Sequence, residues 1–125
     1  MKWPVLLASF ALVILACGKD VPDEKTLFEQ AQKFEASGNY AEALDLYNTF
    51  IGHYRQSEFR YKAMFMAGYI QMEYLKNSKK ARKMFERLIK EYPDCDLADD
   101  AKYLRDIAAS GKDLMSAFQD SLKKK

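Results

Sequence analysis

Apolar residues recur along this chain at helical spacing, block after block. Leu27, Ala31 and Phe34 lie at i, i+4 and i+7, one face of a helix, with Phe28 on its flank. Asp23 stands ahead of them as an N-cap, and Gly38-Asn39 behind them tolerates the left-handed backbone that ends a helix, so the spacing predicts a helix over 24–37. A second helix, over 40–54, carries Tyr40, Ala43, Leu44, Tyr47, Phe50, Ile51 and Tyr54 on one broad face. Ser57 is placed to cap a third, over 58–75, which is apolar nearly all round and therefore expected to be buried on more than one side. Lys76-Asn77-Ser78 forms a turn into a fourth helix over 79–92, which Pro93-Asp94 ends. Cys95 or Asp96 caps a fifth, with Leu97, Ala98, Ala101, Tyr103, Leu104 and Ile107. Ser110-Gly111 separates it from a last helix over 112–122, and Lys123-Lys124-Lys125 follows as a basic tail.

The blocks are copies of one another. Ala43 is answered by Ala81, Tyr47 by Phe85, Ile51 by Ile89 and Tyr54 by Tyr92, each 38 residues on. Leu27, Phe65 and Tyr103 keep the same spacing, as do Lys25, Ala63 and Ala101. Self-similarity at a fixed period of roughly 20–50 residues marks a stacked repeat array. The fold class expected is all-α, with helical hairpins at 24–54, 58–92 and 96–122 in one domain over 24–122. The small residues Ala43 and Ala81, with Ala31 and Gly68 opposite, fall where the two helices of a hairpin approach most closely. The sixth helix reads as a cap on the array.

The first sixteen residues do not fit this pattern. Met1-Lys2-Trp3 is a short, singly charged segment, and Val5 to Ile14 is apolar but for Ser9. That run falls short of the about 20 apolar residues a spanning helix needs, and suits the core of a secretory signal. It ends in Ile14-Leu15-Ala16-Cys17-Gly18, which resembles the lipobox of bacterial lipoproteins. The resemblance implies that 1–16 is removed, that Cys17 is lipidated, and that 17–23 is a tether, with Pro22 keeping it out of the first helix. Gly18 is not the Asp that retains such proteins in an inner membrane, so the resemblance implies an outer membrane, with the domain facing the periplasm.

The repeats carry a second resemblance. Gly38-x-Tyr40-x-x-Ala43-x-x-x-Tyr47 is similar to the turn and second-helix signature of the tetratricopeptide repeat. The segments ending Tyr54-Arg55-Gln56-Ser57 and Tyr92-Pro93-Asp94-Cys95 resemble the branch containing outer-membrane assembly lipoproteins and the C-terminal domain of the Tol–Pal coordinator. The chain departs from the pattern at Arg55, where Pro is usual. It departs again at Lys76-Asn77-Ser78, which replaces Gly-x-Tyr and adds one residue. The resemblance implies a right-handed αα-hairpin solenoid of about two and a half repeats. It also implies a protein-binding function, directed at an envelope protein or peptide segment, in outer-membrane assembly or envelope maintenance.

Charge and chemistry add little. The net charge of +2 comes from 20 basic and 18 acidic residues and gives no electrostatic case for nucleic acid. His53 is the single histidine and has no partner at ligand spacing, so no metal site is expected. Asp94, Asp96, Asp99 and Asp100 lack the glycine turn and closing glutamate of a calcium loop and read as a charge complement to the fifth helix. Cys95 aligns with Ser57 as a cap. No phosphate loop, nucleophile elbow, cofactor motif or catalytic constellation stands out, so no enzyme is expected. The candidate partner-binding face is Phe28, Gln32 and Glu35 on the first helix with Phe65, Tyr69 and Met72 on the third. The alternative is a homo-oligomeric structural envelope lipoprotein that completes its array by self-association, driven by apolar surface at Leu114–Leu122.

Overall fold

The repeat offset of 38 residues reappears as geometry. The computed structural model describes residues 20–124, six helices with no strand among them: α1 (Glu24–Ala36), α2 (Tyr40–His53), α3 (Arg60–Glu73), α4 (Ser78–Glu91), α5 (Ala98–Ala109) and α6 (Leu114–Lys123). α1 packs on α2, α2 on α3, α3 on α4 and α4 on α5, so the chain is an all-α stack of helical hairpins. The expected signal segment and Cys17 lie outside the described residues. Val21 and Pro22, expected within the tether, are held: Val21 rests against the core, and the Pro22 carbonyl accepts a hydrogen bond from the Tyr54 hydroxyl.

The core is made by the matched positions. Ala43, Tyr47 and Phe50 of α2 and Ala81, Phe85 and Leu88 of α4 have no exposed surface, and neither do Ala31, Ala63, Ala67 and Ile70 across from them. Each large side chain buried this way contributes roughly 1.5–3 kcal/mol. The small residues do what their spacing implies. A Cβ added to Gly68 would stand 2.7 Å from Cε1 of Phe85, so α3 and α4 sit this close only because position 68 lacks one. As expected, α3 is buried on several sides, with Met64, Ile70 and Met72 all inside.

Several boundaries fall elsewhere than the sequence pattern places them. Asp23 does cap α1, accepting from the Thr26 amide at 3.1 Å. Ser57, however, lies two residues before the N-cap of α3, which is Phe59. Its hydroxyl accepts from the Phe59 amide at 3.0 Å and donates to Glu24. Neither Cys95 nor Asp96 caps α5: the N-cap is Leu97, with no side-chain bond, and the Cys95 carbonyl accepts from the Ala98 amide. This is the geometry of Ser57 and Arg60 repeated 38 residues later, so the turn and not the cap is the conserved unit. Of Gly38-Asn39 only Gly38 is left-handed, at φ 79°, while Asn39 is the N-cap of α2. The Gly38 amide bonds to the Glu35 carbonyl and the Asn39 amide to the Phe34 carbonyl, the paired bonds of a Schellman end. In the second turn the left-handed residue is Lys76, at φ 53°, and Asn77 caps α4 by accepting from the Lys80 amide at 3.2 Å.

The seam between the two hairpins is pinned at both ends. Tyr40 of α2 stacks on Tyr74 just past α3, with ring centres 3.6 Å apart and nearly parallel. At the other end Arg60, only 6% exposed, donates from Nε to the Ile51 carbonyl at 2.9 Å and from Nη1 to Glu91 at 3.0 Å and to the Tyr92 hydroxyl at 3.2 Å. α6 is joined far more loosely. It buries no residue completely and covers the end of the array only lightly, so it does not form with α5 a packed hairpin like the first two. Its start is fixed by Glu73, which accepts from the Leu114 amide at 2.8 Å, and by Asp113, which caps it through the Ser116 amide at 2.7 Å.

Candidate functional site

The first residues of the odd-numbered helices line up on one side of the stack. Between them opens a groove of about 1020 Å³ that runs from α1 across α3 to the start of α5. Its floor is apolar. Phe28 comes from α1, Phe59 from the N-cap of α3, Phe65 and Met66 from halfway along α3, and Leu97 from the turn before α5.

These aromatic rings are rooted in the hairpin cores and do not lie loose on the surface. Phe28 meets Tyr47 and Phe50 edge-on, with ring centres 5.8 and 5.4 Å away, and Phe59 at a tilt, 5.7 Å away. Phe65 meets Phe85 edge-on at 5.9 Å. A ligand would therefore find the floor already in place, with little side-chain freedom to lose on binding.

The rim is acidic. Asp23, Glu24, Glu29, Glu58 and Asp96 line it, against Lys25 and Lys62. Lys25 stands 3.9 Å from Glu29, and Lys62 lies over the Phe59 ring at 5.3 Å. The Thr26 hydroxyl and then its amide hold the Asp23 carboxyl below its usual range. The groove thus combines an aromatic base with an excess of negative charge, a combination that attracts a segment both apolar and basic.

The candidate residues do not share one surface. Phe28, Gln32 and Phe65 line the groove together. Tyr69 lines a separate recess of about 560 Å³ with Glu73, Tyr103, Leu114, Met115 and Phe118, where α6 meets the rest of the molecule. Glu35 is on neither surface: its carboxylate accepts from the Tyr47 hydroxyl at 2.8 Å. Met72, on the same stripe of α3 as Phe65 and Tyr69, is 1% exposed and belongs to the core. Sequence reasoning missed Phe59, which it counted as one of many apolar positions on α3. It is 38% exposed and lies over Phe28 beside the turn into α3. Sequence reasoning missed Arg60 as well, although a cation between Phe59 and Tyr61 at the head of an apolar helix is itself a signal.

The other residues singled out for chemistry are unremarkable in place. His53 is exposed at the end of α2, and Asp99 and Asp100 occupy the first turn of α5. Cys95 is a free, half-buried thiol. Among the described residues no group of three or more His, Cys, Asp or Glu side chains gathers to hold a metal ion. No helix of the described residues is long and apolar enough to cross a membrane.

The family model of the tetratricopeptide repeat matches residues 62–94, the span from the first turns of α3 to the end of α4. That repeat, together with the stacked helices α1 to α5, makes the architecture a helical-hairpin solenoid, and the repeat suggests a protein–protein interaction module. No curated protein and no solved structure matches the chain.

Proposed function

We propose that this chain is a membrane-tethered interaction module of a bacterial envelope, which docks an apolar, basic segment of a partner protein across its odd-numbered helices. The observation that carries the reading is the groove itself: a rooted aromatic floor under a rim of five carboxylates and two lysines. Affinity of this kind comes from a few desolvated aromatic anchors, with charge steering the approach. The tether rests on Ile14-Leu15-Ala16-Cys17, with lipid on Cys17 and the domain in the periplasm at an outer membrane. A role in outer-membrane assembly or envelope maintenance is supported by the sequence resemblance of the repeat endings. The module positions its partner and has no reaction of its own. The second reading, a self-associating structural lipoprotein, is favoured by one observation: the apolar side chains that α6 leaves exposed.

Two experiments test this. A labelled helical peptide with apolar residues at i, i+3 and i+7 and lysines elsewhere is expected to raise its fluorescence anisotropy with the chain. Its glutamate counterpart is not, and Phe65→Glu is expected to abolish the signal. Equal binding of both peptides removes the charge argument, and binding that survives Phe65→Glu removes the groove. Incorporation of a labelled fatty acid in a bacterial host, lost in Cys17→Ser, is the expected result for the tether; labelling that persists in that variant counts against it.

A further inference from the structure

Two surfaces of the molecule are left uncovered, and they complement each other. α6 presents Met115, Phe118 and Leu122, which are 64%, 54% and 56% exposed, at i, i+3 and i+7, a single stripe along a helix. Lys112 is paired with Asp120 and Asp113 is the N-cap, so the positive charge of the segment gathers at its far end, on Lys123 and Lys124. The groove has the opposite character, with aromatic residues below and carboxylates around.

The two do not meet within one molecule. Glu73 fixes the start of α6 at the C-terminal end of α3, whereas the groove opens at the N-terminal end beside Phe59. Along the helix axis Glu73 is roughly 20 Å from Phe59 and roughly 12 Å from Phe65. Ser110–Asp113 is the only link between α5 and α6, and α5 itself leads away from Asp96 and Leu97 at the groove toward that same far end.

We propose that the groove receives α6 from a second copy of this chain. The apolar stripe of α6 lies on Phe28, Phe59 and Phe65, and the Lys123–Lys124 end sits among the rim carboxylates. This rests on the groove being a docking site and names its occupant. Each copy offers both a groove and an α6, so the contact either passes head-to-tail from copy to copy or closes as a two-fold pair in which two copies exchange helices. Because part of the attraction is between exposed charges, the association weakens as salt is added.

The test uses the whole chain in a non-ionic detergent. A photo-crosslinking phenylalanine analogue replaces Phe118, and the labelled chain is mixed with an isotopically heavy copy. After irradiation and digestion, mass spectrometry is expected to join position 118 of the light chain to the Phe59–Met66 segment of the heavy one. The yield is expected to fall about tenfold or more when the heavy copy carries Phe65→Glu, since a charge there must be desolvated. It is also expected to fall when the light copy carries Lys123→Glu and Lys124→Glu, which alter only exposed positions and leave the core intact. Crosslinks confined to one chain, crosslinks to any other surface, or none at all overturn the proposal. If the basic peptide binds but no such crosslink forms, self-docking is lost and the groove's role stands; if neither occurs, both are lost.

Discussion

The two hairpins of this molecule share a packing plan and differ in the polar groups attached to it. In the first, Tyr47 reaches out of the core and donates to Glu35. In the second, Phe85 occupies the matched position without a hydroxyl, and the matched glutamate, Glu73, instead holds the start of α6. Tyr54 ends the first hairpin by donating to a backbone carbonyl, that of Pro22. Tyr92 ends the second by accepting from the buried guanidinium of Arg60, 32 residues before it, the same separation as between Pro22 and Tyr54. The lesson is that apolar positions repeat because the stack needs them, while polar positions are free to take on local tasks. Glu73 recruits a helix, and Arg60 bridges two units.

The two hairpins depend first on their buried rings. Phe85→Ala is expected to cost about 3–5 kcal/mol, the usual loss for a buried ring, measured as a shift in the urea unfolding midpoint. A loss below that of an exposed-site variant would show that the second hairpin does not depend on its ring. Gly68→Ala should cost about 1–3 kcal/mol, because the new methyl meets the Phe85 ring at under 3 Å. The same change in a Phe85→Leu background should cost less, and an undiminished cost in that double variant would place the clash elsewhere.

The polar differences come next. Tyr47→Phe makes the first hairpin like the second and is expected to cost about 1–2 kcal/mol for the bond to Glu35. The reverse change, Phe85→Tyr, gives Glu73 a competing donor. Faster amide exchange at Leu114 is the expected sign, and unchanged exchange would mean the two glutamates are not equivalent. Lys76→Gly relieves a left-handed non-glycine residue and should gain up to about 1 kcal/mol in thermal melting, whereas Gly38→Lys should lose a similar amount.

The smallest effect is on the acid limb. Burial alone would raise the Glu91 carboxyl, but the hydrogen bond and charge of Arg60, with Arg87 behind, outweigh it and hold it below the usual 4.5. A carboxylate lowered in this way contributes stability that is complete above 4.5 and is lost as pH falls through its lower folded value. Melting temperatures taken from neutral pH downward should therefore fall more steeply in the parent than in Glu91→Gln. Parallel slopes would show that the bridge from Arg60 adds nothing to acid stability.

Much of this architecture was legible in the sequence, for a physical reason. A stack of hairpins imposes its period on every apolar side chain, so Leu27, Ala43, Tyr47 and their partners 38 residues on declare both the helices and the faces they bury. Turn residues were legible only in part. Gly38 is recognisable because glycine favours the left-handed region, whereas Lys76 takes the same conformation with nothing in its side chain to mark it. The candidate face was the least legible. Helical spacing puts Phe65, Tyr69 and Met72 on one stripe of α3, but what each of them meets along that stripe depends on how the neighbouring helices lie against it. The outcome is three separate fates: groove, recess and core.

Arg60 has a bearing on how the molecule comes apart. One side chain grips the backbone of α2 and the last turn of α4 together, so neither hairpin can loosen while the other keeps its native partners satisfied. Melting of such a pair is cooperative, a single event spanning about four helices and not two successive ones. The weakly attached sixth helix stands outside that cooperative block.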